Sequence, residues 1–198
     1  MKIMNLTSES ETYTSNVYFL IGDWKALDDI NAMIDVGRDP STMEKIRKLD
    51  TGAGKKRVEK VILTHGHFDH SSLLPAIRAE FGPYVYAFHP FEGVDHPLKD
   101  GQALKLADQW FEVIHTPGHT RDSICLYCAA DGALFSGDTS LRIMTADGSY
   151  QEDFMKALEN IARKDIRTIY PGHGPPITDG AKQLIYMSLD NVRKSKIC

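Results

Sequence analysis

Three imidazoles and a carboxylate fall within one short stretch, Thr64-His65-Gly66-His67-Phe68-Asp69-His70. His65, His67 and Asp69 are spaced by two, so in an extended segment their side chains share a face. His70 follows at once and turns elsewhere as the chain enters a helix, for which Ser71 or Ser72 is the expected N-cap. Crowding these groups on one loop is costly unless a cation binds them. Neutral imidazole and ionised carboxylate are good ligands for zinc and its divalent neighbours. Three further candidates sit in turn-rich contexts: His119 in Thr116-Pro117-Gly118-His119-Thr120, Asp138 in Phe135-Ser136-Gly137-Asp138-Thr139, and His173 in Pro171-Gly172-His173-Gly174-Pro175. Glycine beside each lets the backbone approach closely.

These side chains must be presented by the elements around them. Short apolar, β-branched or aromatic runs predict strands over Asn16–Ile21, Ala32–Asp35, Val58–Thr64, Tyr84–Phe88, Trp110–Thr116, Ser123–Cys128, Ala133–Ser136 and Arg167–Tyr170. Helical spacing predicts helices over Ser41–Leu49, Leu73–Phe81, Glu152–Arg163 and Thr178–Lys194. Each candidate ligand follows an apolar run, which puts it on a loop at a strand's end. Strands with helices interspersed indicate an α/β or α+β domain. The length of 198 residues, with no repeat and no linker-like shift in composition, suits a single domain over 1–198.

Composition narrows the class. With 42% hydrophobic and 25% charged residues, the chain has the apolar content that a core needs and a disordered chain lacks. A net charge of -4 argues against a broad nucleic-acid surface. The polar stretch Thr7 to Ser15 interrupts any signal-peptide core, and no run of about 18 apolar residues predicts a membrane span. Three cysteines, Cys125, Cys128 and Cys198, cannot all pair within one chain, so the expectation is a reducing compartment, the cytoplasm.

The HxHxDH run followed by TPGHT, SGDT and PGHG resembles the metallo-β-lactamase superfamily, and its compact form resembles the glyoxalase II-like branch. Ile34-Asp35-Val36-Gly37 looks like the family's first motif. The resemblance implies a four-layer αβ/βα sandwich of two mixed sheets flanked by helices, with the site at one sheet edge. It implies that His65, His67 and His119 hold one metal, that Asp69, His70 and His173 hold a second, and that Asp138 bridges. Asp35 would orient the ligands from behind. The implied cofactors are two divalent metal ions, zinc first, with iron or manganese as alternatives. Two cations about 3.5–4 Å apart would share a water and bring its pKa towards neutrality. The hydroxide would attack an electrophilic carbonyl or phosphoryl centre, with Asp69 as a candidate proton handler.

Other residues read as structural. His89, His96 and His115 lack partners at ligand spacing, and Cys125 and Cys128 point to opposite faces of a strand. Thr51–Arg57 reads as a solvated basic loop, since GxxxxGK[ST] is not met. The expected function is hydrolysis of a small-molecule substrate: a thioester, lactone or other acyl ester. The chain has room for only one helix after His173, so the glutathione-binding residues of glyoxalase II cannot be transferred. Alternatives are a mononuclear iron oxidoreductase resembling the persulfide dioxygenases and, less well supported, a nuclease of the same superfamily. Arg142, in the loop after Asp138, could meet an anionic substrate. The terminal helix could pack on its own domain or on a second copy, which leaves a homo-oligomer open.

Overall fold

The apolar runs pair into two mixed sheets in a computed structural model that describes residues 1–198. The first half contributes β1 (Lys2–Asn5), β2 (Tyr18–Ile21), β3 (Ala32–Ile34), α1 (Ser41–Lys48), β4 (Lys60–Ile62), α2 (Phe68–Ser71), α3 (Leu74–Phe81), β5 (Tyr84–Ala87) and β6 (His96–Pro97). Its six strands lie in sequence order in one sheet, antiparallel from β1 to β3 and parallel from β3 to β6. The second half contributes β7 (Ala103–Leu106), β8 (Gln109–His115), β9 (Ile124–Cys128), β10 (Ala133–Gly137), β11 (Ser149–Tyr150), α4 (Glu152–Ala162), β12 (Thr168–Pro171), α5 (Ala181–Lys194) and β13 (Lys196–Ile197). Here the sheet order is β12-β10-β9-β8-β7, with β12 parallel to β10, while β11 and β13 form a separate pair.

Alternation along the strands creates the layers. Tyr18 and Leu20 face inward against Phe111, Leu126 and Phe135 of the other sheet. Their neighbours Phe19 and Ile21 face outward, under Ile46 of α1 and Ile77 of α3. On the second sheet, Ile114, Cys125 and Leu134 face outward under Leu158 of α4 and Leu189 of α5. Helices therefore cover both outer faces and the two sheets enclose the central core, the four-layer αβ/βα arrangement expected. The terminal helix α5 packs on α4 of its own chain. No helix is long and apolar enough to cross a membrane.

Two local features differ from the sequence reading. The extended segment after β4 ends at His67, and Asp69 and His70 already lie in the first turn of α2. Ser71 and Ser72 are therefore inside or at the end of α2, not N-caps, and their hydroxyls donate back to His67 O and Phe68 O. Helix onset moves Asp69 off the face shared by His65 and His67. The loop Thr51–Arg57 is exposed over most of its length, as expected, but Lys55 is tied down: its Nζ donates to Ala26 O and Asp29 O, while Arg57 donates to Leu49 O.

Candidate metal centre

All seven candidate ligands arrive at one edge of the sandwich. Asp35 directly follows β3; His65 to His70 follow β4; His119, Asp138 and His173 follow β8, β10 and β12. Main-chain bonds stitch these loops together. Ile124 N donates to Thr64 O at 2.9 Å across the two sheets, Val36 N to His70 O at 2.9 Å, and Gly172 N to Gly137 O at 2.8 Å.

Potential ligand atoms converge in three overlapping groups, each with its atoms within 4.8 Å of one another: His65, His67 and His119; His65, His70 and Asp138; Asp69, His70 and His173. His67 Nδ1 and His119 Nε2 face each other at 3.0 Å. His173 Nε2 lies 3.1 Å from Asp69 Oδ2 and 3.5 Å from Asp138 Oδ2. His70 Nε2 lies 3.3 Å from Asp138 Oδ1.

The donor set tests whether a cation fits. Nε2 of His65, of His70 and of His173 are buried with no hydrogen-bond partner. Buried polar atoms are normally satisfied, and an orphan costs about 1–3 kcal/mol. Three orphans aimed into one space beside two carboxylates are what a divalent cation would satisfy, and imidazole with carboxylate suits zinc or iron.

Asp35 stands behind the ligands. It is 2% exposed and has φ +58, a left-handed conformation that Asp tolerates better than most residues. Its Oδ1 accepts from Thr64 N and its Oδ2 from Thr64 Oγ1, both at 2.8 Å. Oδ2 also accepts from His70 Nδ1 at 2.8 Å, so the neutral ring would direct its Nε2 lone pair at the ligand space.

Two glycines make the approach of the loops feasible. A Cβ on Gly172 would sit 2.1 Å from Asp138 Oδ1 and 2.8 Å from His70 Cε1. Gly137 has φ +49, and a Cβ there would sit 2.6 Å from Thr64 Oγ1.

Charge is unevenly held when no metal is present. Burial pulls His70 down, but the Asp35 and Asp138 carboxylates outweigh it and push it up to about 10. Burial, then the charge on His70, pushes His65 down to about 4. Burial would raise Asp138, yet the close approach of His70 and the surrounding imidazoles bring it down to about 2. His119 is lowered chiefly by burial.

The ligand edge opens into a cavity of ≈ 790 Å³, whose wall includes His119, Asp138, Ser140, Arg142 and His173. Arg142 thus lies where the sequence reading put it. A smaller space of ≈ 300 Å³ adjoins across His119 and Ser140 and is walled by Tyr150 and Phe154. The sequence reading missed three neighbours. Tyr13 stacks on His173 with ring centroids 5.6 Å apart, Thr64 joins Asp35 to the His65 loop, and Asn16 bonds the His173 loop. Only Thr64 carried a local signal, as the hydroxyl that opens the histidine run. The histidines outside the motifs stay outside the centre: His115 stacks on Phe88 and His96 lies against Tyr86.

A profile of the Metallo-beta-lactamase superfamily matches residues 12–173, and the chain belongs to that superfamily. An atrochrysone carboxyl ACP thioesterase of Aspergillus fumigatus is 28% identical over 167 residues, covering 82% of this chain and 52% of that protein. A hydroxyacylglutathione hydrolase of Hydrogenovibrio crunogenus is 31% identical over 142 residues, covering 70% of this chain and 49% of that protein. The chain thus spans about half the length of these curated relatives. Among solved structures, the BLEG-1 B3 metallo-beta-lactamase superposes with TM-score 0.62 at 24% identity, over 89% of this chain and 91% of that one. The flavodiiron protein from Giardia intestinalis superposes with TM-score 0.66 at 19% identity, over 89% and 51%. At these identities the two structures speak for the fold alone.

Proposed function

We propose that the chain is a metal-dependent hydrolase of a small acyl compound, a thioester first and a lactone or other ester after it. The observation that carries this reading is the convergence of three orphaned imidazole nitrogens and two carboxylates beside an open cavity. The thioesterase and hydroxyacylglutathione hydrolase names of the relatives support the thioester class. Residues 1–198 are proposed to act as one domain. A cytoplasmic location belongs to the same proposal, resting on cysteines of which Cys125 and Cys128 face opposite sides of one sheet and cannot pair with each other.

In this reading His65, His67 and His119 would hold one divalent cation, Asp69, His70 and His173 would hold another, and Asp138 would serve both. Zinc is the preferred ion. When bound, the cations would supply Lewis acidity, bringing the pKa of water towards about 7 and offsetting charge on a developing oxyanion. Asp35 keeps His70 in the tautomer that presents Nε2. Asp69 is the carboxylate proposed to take up a proton, at the oxygen that does not face His70 and His173. Arg142, on the cavity wall, is the cation that an anionic substrate arm would meet.

The test is elemental analysis of protein purified without added metal or chelator, followed by a panel of thioesters and lactones. About two zinc ions per chain, with hydrolysis abolished by chelation and restored by zinc, is the expected result. One iron per chain with oxygen uptake and no ester hydrolysis would overturn it in favour of an oxidoreductase.

A further inference from the structure

Asn16, just before β2, is a buried amide that no step above uses. Its Nδ2 donates to Pro171 O and to Gly174 O, each at 2.8 Å, and lies 3.0 Å from Tyr18 Oη. Its main-chain N donates to Gly172 O at 2.6 Å. Asn5 Nδ2 donates to Asn16 Oδ1 at 2.9 Å and so fixes which way the amide faces. The Tyr18 hydroxyl donates to Pro171 O at 2.8 Å. The carbonyls held in this way, at 171, 172 and 174, surround His173 in the chain. One residue earlier, Ser15 N donates to Asp69 O at 3.1 Å.

Residues 15–16 therefore grip the backbones of two candidate ligands that come from different sheets. Asp69 follows β4 of the six-stranded sheet, and His173 follows β12 of the five-stranded one. Glycines on both sides of His173 give its loop little stiffness of its own. The 3.1 Å approach of His173 Nε2 to Asp69 Oδ2 thus depends on what the loop is tied to.

We propose that Asn16 is a positioning residue: its side-chain amide clamps the 171–174 loop so that His173 meets Asp69 and His70 at the second cation position. The proposal rests on the metal-centre reading above. Removing the clamp loosens one of the two positions and leaves the His65, His67 and His119 position intact.

The experiment is a titration of the metal-stripped full chain with zinc against a chromophoric chelator, reading both equivalents. It uses the wild type, Asn16→Ala, the near-isosteric Asn16→Asp, Tyr18→Phe and a control, Asn31→Ala. Asn31 is buried too, and its amide donates to Thr51 O and Lys56 O at the opposite end of β3. Wild type should take two equivalents. Both Asn16 variants should keep one at wild-type affinity and bind the other about 10–100-fold more weakly, the usual effect of losing an outer partner. Tyr18→Phe, which keeps the amide, should weaken the same equivalent by less. Asn31→Ala should lower Tm and keep both. Two unchanged equivalents in the folded Asn16 variants would overturn the proposal, as would the same selective loss in Asn31→Ala. If the Asn16 variants do not fold, Asn5→Ala, which frees the Asn16 amide to turn away, takes their place, and an unchanged second equivalent there overturns it. A wild type that binds fewer than two equivalents instead brings down the metal-centre reading, and this inference with it.

Discussion

Asp35 shows how much a single residue carries here. It occupies a left-handed backbone conformation, which costs on the order of 1–3 kcal/mol for a non-glycine residue, and accepts three hydrogen bonds from Thr64 and His70. Asp35→Asn should weaken metal binding about 10–100-fold, read by competition with a chelator, because the asparagine carries no charge to hold the Nδ1 proton. The same carboxylate sets a pH dependence. In the metal-free protein His70 is pushed up to about 10, against about 6.5 for an unfolded histidine. Its contribution to stability is then fully present below about 6.5 and is lost as pH rises through the folded value. The Tm of chelator-treated protein should therefore fall from pH 6.5 to 8.5, and Asp35→Asn should flatten that slope; a flat wild-type curve would contradict the His70 assignment. Asp138→Ala should remove metal occupancy and most activity, because its carboxylate contacts histidines of both groups. The histidines and aspartates could be read from motifs, since at ligand spacing they announce their chemistry; Thr64 could be read only as the hydroxyl that opens the histidine run, and Asn16 and Tyr13 not at all. An asparagine opening an apolar run announces nothing, because its partners lie more than 150 residues away.

At the scale of elements, strands end where ligands begin. The pairs β3–β4 and β10–β12 are parallel, which carries their C-terminal ends to one edge. Two-residue alternation on β9 puts Cys125 under α4 and Cys128 in the inter-sheet core. Burial pushes the Cys125 thiol up to about 11 and also raises Cys128, while Cys198 is exposed. A thiol titration of native protein at pH 8 should find one reactive group, and three after unfolding; Cys125→Ser should leave activity largely intact. α4 turns Phe154, Leu158 and Ile161 inward, as its spacing predicts. Leu158→Ala should cost about 2–5 kcal/mol, read by denaturant unfolding, with unchanged metal stoichiometry. Helix α2 begins at Phe68, ahead of the Ser71 or Ser72 cap that the sequence predicts. Its four residues are too few for periodicity to register where it starts.

At the scale of the whole molecule, the ligand set is split between two halves that share one inter-sheet core. The first half supplies His65, His67, Asp69 and His70, and the second supplies His119, Asp138 and His173. Any cation they hold together binds the folded chain more tightly than the unfolded one, which keeps only the local His65–His70 run, so binding must stabilise it by mass action. Free zinc at about 100 times Kd should add about 2.7 kcal/mol to unfolding free energy, visible as a Tm rise that a chelator reverses. Absence of that rise would mean that the convergent side chains do not act as a metal centre.

The sequence by itself determined the candidate ligands, the alternation of strand faces and the helical stripes, because ligand chemistry and side-chain periodicity are local properties. It also carried the superfamily resemblance that implied the four layers. Tertiary structure alone decided that His173 reaches Asp69, that Gly172 must lack a side chain to let Asp138 and His70 meet, and that Asn16 ties two loops from different sheets. These are distances between residues far apart in the chain. They arise only when two sheets pack at one angle and separation, which no local pattern encodes.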